Sequence, residues 1–193
     1  MVTTIRSFIA MELEDLDTLN NIQAFFPRLM QNQPNLKTVK SENLHMTVKF
    51  LGDIPDSLAP KIYEILCEEV NENLFQGKTL EYQLKGVGQF NKYSVIWIKL
   101  VGNVQFLQEV KDTIENSLSE KLSIERDNRP KFKPHLTIGR LRKNKINYKT
   151  FESFKNLIRD NRDLEFGAFK INQVKLKKSV LTPKGPIYSD LVY

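Results

Sequence analysis

Both histidines of this 193-residue chain open the same four-residue pattern, His45-Met46-Thr47-Val48 and His135-Leu136-Thr137-Ile138. In a β-strand, residues i and i+2 point to one face, so each imidazole is expected to project beside its threonine hydroxyl. Met46, Val48, Leu136 and Ile138 then point the other way, into a core. Two such strands facing one another bring two imidazoles and two hydroxyls into one small volume, which is equipment for moving protons around a phosphate. With ten threonines in the chain, one such coincidence is about a 5% event and two about 0.3%, treating positions as independent. The competing reading is two buried strand histidines, each hydrogen-bonded to a neighbour.

Metal-free cleavage of a phosphodiester needs a base for the attacking oxygen, an acid for the leaving oxygen, and donors for the extra phosphoryl charge. Attack and departure are in line, so base and acid must stand on opposite sides of phosphorus, as two rings from opposite lobes would. An ordinary imidazole pKa near 6.5 lets one ring be neutral and the other protonated at neutral pH. Each threonine adds a short, stiff donor for a non-bridging oxygen. Arg140, five residues beyond His135, faces away if the strand is regular, and only a bulge would redirect it. Nothing local tells the acid from the base.

The elements that must position these groups follow from pattern. Residues 2–12 read as a strand, then Asp15 or Asp17 caps a helix with Leu16, Leu19, Ile22, Phe26 and Leu29 on one stripe. The Pro34 region ends it, and the His45 strand closes at Leu51-Gly52-Asp53. The second half repeats the order: a strand over 94–101, Asn103 capping a helix with Val104, Leu107, Val110, Ile114 and Leu118, then the His135 strand. Ser7 precedes His45 by the same 38 positions as Trp97 precedes His135, which suggests two lobes about a pseudo-twofold axis. Between the halves, Pro55-Asp56-Ser57 starts a helix to about Asn71. Residues 79–90 form a strand whose Gly86-Val87-Gly88 serves a turn or bulge, not a phosphate loop. A loop over 142–149, a helix from Thr150 to about Asp160, a long strand over 166–181, a turn at 182–186 and a strand over 187–193 complete the chain. The class is α+β with mainly antiparallel sheets.

Length fits one domain or two small lobes sharing a core. No apolar run approaches a membrane span, and no leader pattern is seen. The single cysteine, Cys67, excludes an internal disulfide, fits a reducing cytosol, and reads as core filler in a helical stretch rather than a nucleophile. Two histidines and one cysteine without close spacing make a zinc site unexpected. The net charge is +6, with Arg126, Arg129, Lys131, Lys133, Arg140, Arg142, Lys143 and Lys145 around the second motif and Lys175, Lys177 and Lys178 later. Such a surplus favours polyanions, nucleic acid first.

The stretches Glu42–Gly52 and Phe132–Arg140, with the opening Arg6-Ser7-Phe8-Ile9-Ala10, the Ile96-Trp97 segment and the closing Val174–Tyr188, resemble the two-histidine (2H) phosphoesterase superfamily. Within it the chain is most similar to the RNA 2′,3′-cyclic phosphodiesterases, also called 2′-5′ RNA ligases, of archaeal type. The resemblance implies one bilobal unit over 1–193 with a cleft between the lobes, and metal-independent, cofactor-free opening of a terminal 2′,3′-cyclic phosphate to a 2′-phosphomonoester. It places His45 as proton donor, His135 as proton acceptor, and Thr47 and Thr137 on the phosphate. Arg140, Phe8, Phe50 and Ser179 are further candidate substrate contacts. The implied partner is RNA with a cyclic-phosphate end, transfer RNA fragments among the candidates, met by a cytoplasmic monomer. Alternatives are 2′-5′ ligation by the reverse chemistry, a non-catalytic binder of RNA ends, and an esterase for smaller cyclic phosphates.

Overall fold

A computed structural model describes residues 3–128, 132–183 and 185–193. Val2, Arg129, Lys131 and Lys184, assigned above to the first strand, the basic run and the last turn, lie outside the described residues. Two antiparallel sheets carry the fold. The first has the order β3-β1-β8-β9 and the second β2-β6-β5-β4-β7. In chain order the strands are β1 (Thr4–Glu12), β2 (Lys37–Thr38), β3 (His45–Pro55), β4 (Leu80–Phe90), β5 (Val95–Val101), β6 (His135–Arg140), β7 (Glu165–Ile171), β8 (Lys175–Thr182) and β9 (Gly185–Asp190). The helices are α1 (Leu16–Asn32), α2 (Ala59–Ile65), α3 (Val104–Leu122) and α4 (Phe151–Asp160).

The pseudo-twofold relation is visible in the pairing. β3-β1-β8-β9 corresponds strand for strand to β6-β5-β4-β7, and β2 is an extra edge strand on the second sheet alone. The matched 38-residue spacing is nevertheless a coincidence. Ala10 pairs with Thr47, and Trp97 pairs with Thr137, so Trp97 is the counterpart of Ala10, three positions beyond Ser7.

The connecting helices cross over. α1 leaves the first sheet yet packs on β7 and α4, where the Thr18 hydroxyl donates to the Ala168 carbonyl (2.9 Å) and Phe25 meets Phe166 edge-on at 5.6 Å. α3 leaves the second sheet and reaches the buried side of β3 through Glu115 and Lys49, 2.6 Å apart. Each sheet therefore depends on a helix from the other half for its cover.

Several expectations need correction. The buried stripe of α1 is Thr18, Ile22, Phe25 and Leu29, a 4-3-4 spacing that turns Phe26 partly outward. Leu16 and Val104 are the first residues of their helices and stay 74% and 43% exposed. Asp15 and Asn103 cap as expected, but Thr150 does not: its hydroxyl donates to the Asn32 carbonyl. The helix after Pro55 runs past Asn71, widening into a π-type segment, Leu66–Phe75. The strand expected over 166–181 is two strands in different sheets. The Asn71 side-chain amide takes both the N–H and the C=O of Val174, at 2.8 and 3.1 Å, replacing the ladder there and passing the chain from β7 to β8. The last strand stops at Asp190. Gly86, at φ +85°, sits in a register shift of β4 between Leu84 and Val87, the bulge its glycines suggested. Among the described residues no helix is long and apolar enough to cross a membrane.

Candidate active site

The two motifs fold alike. In each, histidine and threonine are partly exposed and the residues between and after them are buried. In each, the residue directly after the threonine is an extra residue in the ladder. Ile9 pairs with Lys49 and Ala10 with Thr47, so Val48 is unpaired; Ile96 pairs with Gly139 and Trp97 with Thr137, so Ile138 is unpaired. An extra residue shifts the alternation by one. Phe50 and Arg140, each five beyond its histidine, consequently turn to the histidine face, while Lys49 and Gly139 turn inward.

The rings are held in the same way. His45 Nδ1 lies 2.7 Å from the Asn43 carbonyl oxygen, and His135 Nδ1 lies 2.6 Å from the Lys133 carbonyl oxygen. A carbonyl only accepts, so Nδ1 carries the proton in both rings. The neutral tautomer then has its lone pair on Nε2, and for His45 the Thr47 hydroxyl donates to it at 3.0 Å.

Strands β3 and β6 approach one another where the sheets meet. Arg140, carried by β6, acts electrostatically on both His45 and Tyr188 of the first sheet. The wall around His45 is aromatic: Phe8 at 5.0 Å and Tyr188 at 5.4 Å between centroids. Around His135 it is Phe90 at 5.0 Å and Trp97 at 6.1 Å. The Trp97 indole lies over Gly88, where a Cβ would come within 2.2 Å of it. Phe8 is a buried wall, whereas Phe50 is 59% exposed and 6.4 Å from it. Ser179 pairs with Tyr188 and shares its face. Tyr188 and Phe90 were not singled out from the sequence; only the β8-β9 and β4-β5 registers put them here.

Burial holds the His45 pKa below its ordinary 6.5, and the Lys177 and Arg140 charges add to this; the Asn43 carbonyl and Glu12 work the other way. Glu12 pairs across the ladder with His45 and binds Lys175 at 2.6 Å and Lys177, which also binds Asp190. Burial pushes Glu12 up, but the two lysines outweigh it and keep the carboxyl below its usual range. On the other side of β3, Lys49 Nζ donates to Glu115 (2.6 Å) and to the Glu125 carbonyl (2.8 Å), and Lys111 donates to Glu115 at 2.9 Å. This buried node ties the His45 strand to the segment leading toward His135. Among the described residues no group of three His, Cys, Asp or Glu could hold a metal ion.

A two-sheet α+β fold with paired His-x-Thr strands brought together where the sheets meet defines the two-histidine phosphoesterase class of protein. The chain belongs to the family described as the AKAP7 2′5′ RNA ligase-like domain, whose model matches residues 7–189. It is 37% identical over 158 residues to the RNA 2′,3′-cyclic phosphodiesterase of Methanocaldococcus jannaschii, covering 79% of this chain and 80% of that protein. It is 30% identical over 193 residues to the protein of that name from Methanothermobacter thermautotrophicus, covering 97% and 96%. In fold it is similar to E. coli LigT complexed with 3′-AMP (TM-score 0.72, 18% identity, 98% and 97% covered). It is likewise similar to TT0787 of Thermus thermophilus (TM-score 0.69, 22% identity, 97% and 95% covered).

Proposed function

We propose that this protein hydrolyses the terminal 2′,3′-cyclic phosphate of RNA to a 2′-phosphomonoester without a metal, as a monomeric bilobal unit. The observation that carries the reading is the matched presentation of the two rings: the same anchoring carbonyl at i−2 and the same threonine at i+2 on a bulged strand. His135 Nε2 takes a proton from water as the water oxygen attacks phosphorus. The P–O3′ bond breaks, and His45 delivers a proton to the departing O3′. The phosphate stays on O2′. The donor and acceptor assignment rests on family resemblance, since the rings are anchored alike. Thr47, Thr137 and Arg140 donate to non-bridging oxygens, and the exposed Phe50 is placed to lie against a base. Ser179 shares the cleft face and is the weaker contact.

The test is replacement of each histidine. His45→Ala and His135→Ala should each lower cyclic-phosphate opening by about 10²–10⁴-fold, leaving RNA affinity within a factor of about three. Undiminished turnover in either variant would remove the mechanism. Activity should persist in excess EDTA; a strict need for added divalent metal would contradict it. End-group analysis showing a 3′-phosphate would reverse the assignment of the leaving oxygen.

A further inference from the structure

Sheet for sheet, the two motif strands match in histidine and threonine, but the charge around them does not match. On the first sheet's cleft face, Lys175 and Lys177 are neutralised by Glu12, Glu14 and Asp190. The end of β3 that corresponds to Arg140 leads to Phe50 and then to Asp53, paired with Arg6 at 3.8 Å. On the second sheet the strand lacking a counterpart, β2, lies at this point. Lys37 pairs directly with Arg140 and so points to the same face. The chain beyond Arg140 forms a 3₁₀ turn, Lys143–Lys145.

Lys37, Arg140, Arg142, Lys143 and Lys145 are all exposed, and among the described residues none is ion-paired with an acid. At the end of this run Tyr148 is 77% exposed. The loop is also fixed in place. The fully buried Gln33 clamps Asn147 through both backbone groups, at 2.9 and 2.8 Å. Asn35 donates to the Lys145 carbonyl at 3.2 Å. Unpaired cations on a fixed backbone with an exposed ring among them are the makings of a single-strand track, because phosphates meet the charges and a base meets the ring.

We infer that the RNA chain 5′ of the cyclic end leaves the cleft over β2 and the 142–149 loop, with Lys37, Lys143 and Lys145 on its phosphates and Tyr148 under a base. The inference rests on the function proposed above, and it makes the preferred substrate an oligonucleotide rather than a cyclic mononucleotide.

The experiment compares an eight-nucleotide RNA ending in a 2′,3′-cyclic phosphate with a cyclic mononucleotide, in the 193-residue protein and its Lys37→Gln/Lys143→Gln/Lys145→Gln variant. The KM for the octamer should rise at least tenfold more than that for the mononucleotide, with kcat little altered. Octamer binding, read by fluorescence anisotropy, should weaken, with the slope of log affinity against log salt shallower by about 2, at about 0.7 per lost phosphate contact. Tyr148→Ala should weaken octamer binding about tenfold. Equal KM changes for both substrates, or an unchanged salt slope, would overturn the track. So would wild-type affinity for a polyglutamate peptide equal to that for RNA. If the wild-type protein opened neither substrate, the hydrolase reading would fall, and the anisotropy arm would still decide the track.

Discussion

At the scale of single residues, the site works by fixing tautomers and placing charge. Both Nδ1 atoms donate to a carbonyl two residues earlier, which leaves Nε2 as the nitrogen of each ring for proton transfer. Burial disfavours the charged imidazolium of His45, with Lys177 and Arg140 reinforcing it, so in the free protein this ring releases its proton below pH 6.5. A substrate phosphate beside Arg140 cancels part of that positive field and favours the charged ring. The pKa of the acid should therefore be higher in kcat, which reports the bound complex, than in kcat/KM, which reports the free protein. NMR titration of His45 should show the same upward move when a nucleoside 2′-phosphate is added; a downward move would contradict the donor role. In Arg140→Gln the free-state His45 pKa should also rise, because a positive neighbour is lost, while turnover falls by about 100-fold through the missing phosphate donor.

At the scale of elements, the paired bulges decide which side chains enter the cleft. Strict alternation sends Lys49 toward His45 and Thr47, and Arg140 away from His135. The unpaired Val48 and Ile138 reverse both, so the lysine is buried against Glu115 and the arginine turns to the histidine face. No turn residue marks either bulge in the sequence, since valine and isoleucine are ordinary strand residues; the bulge exists because the next residue must pair with β1 or β5 in a shifted register. Glu115 holds Lys49 and Lys111 together in a site where all three are nearly inaccessible. Burial alone raises Glu115, yet the two lysines and the Asp127 N–H hold it below its usual range. Glu115→Leu leaves the buried Lys49 ammonium with only the Glu125 carbonyl and Lys111 with only Asp127 at 3.8 Å, and should cost about 3–5 kcal/mol, read from urea unfolding. A loss below about 1 kcal/mol would mean that the node contributes little to holding β3 on α3.

At the scale of the whole molecule, the exchange of helices joins the halves. α1 covers the second sheet and α3 reaches under the first, and β8-β9 return to complete a sheet begun by β1. Neither half keeps a covered core alone, so unfolding should be one cooperative event. Trp97, the only tryptophan, reports the second sheet. Its fluorescence and the far-UV circular dichroism should lose their native signals at the same urea concentration. Two separated transitions would show that the lobes fold independently.

Local pattern alone determined the order of the helices and of all strands but β2 and the β7–β8 break, the facing of His45 with Thr47 and of His135 with Thr137, and the alternation that buries Met46, Val48, Leu136 and Ile138. These follow from the period of two in a strand and from caps such as Asp15 and Asn103, all set by residues within a few positions of one another. Tertiary structure decided the rest. The turning of Arg140 and Phe50 to the histidine face, the joining of Tyr188 to the His45 wall, the split of 166–181 by the Asn71 clamp and the gathering of unpaired cations at β2 all depend on partners tens of residues away. Register between distant strands is a property of their joint packing, and no single segment contains it.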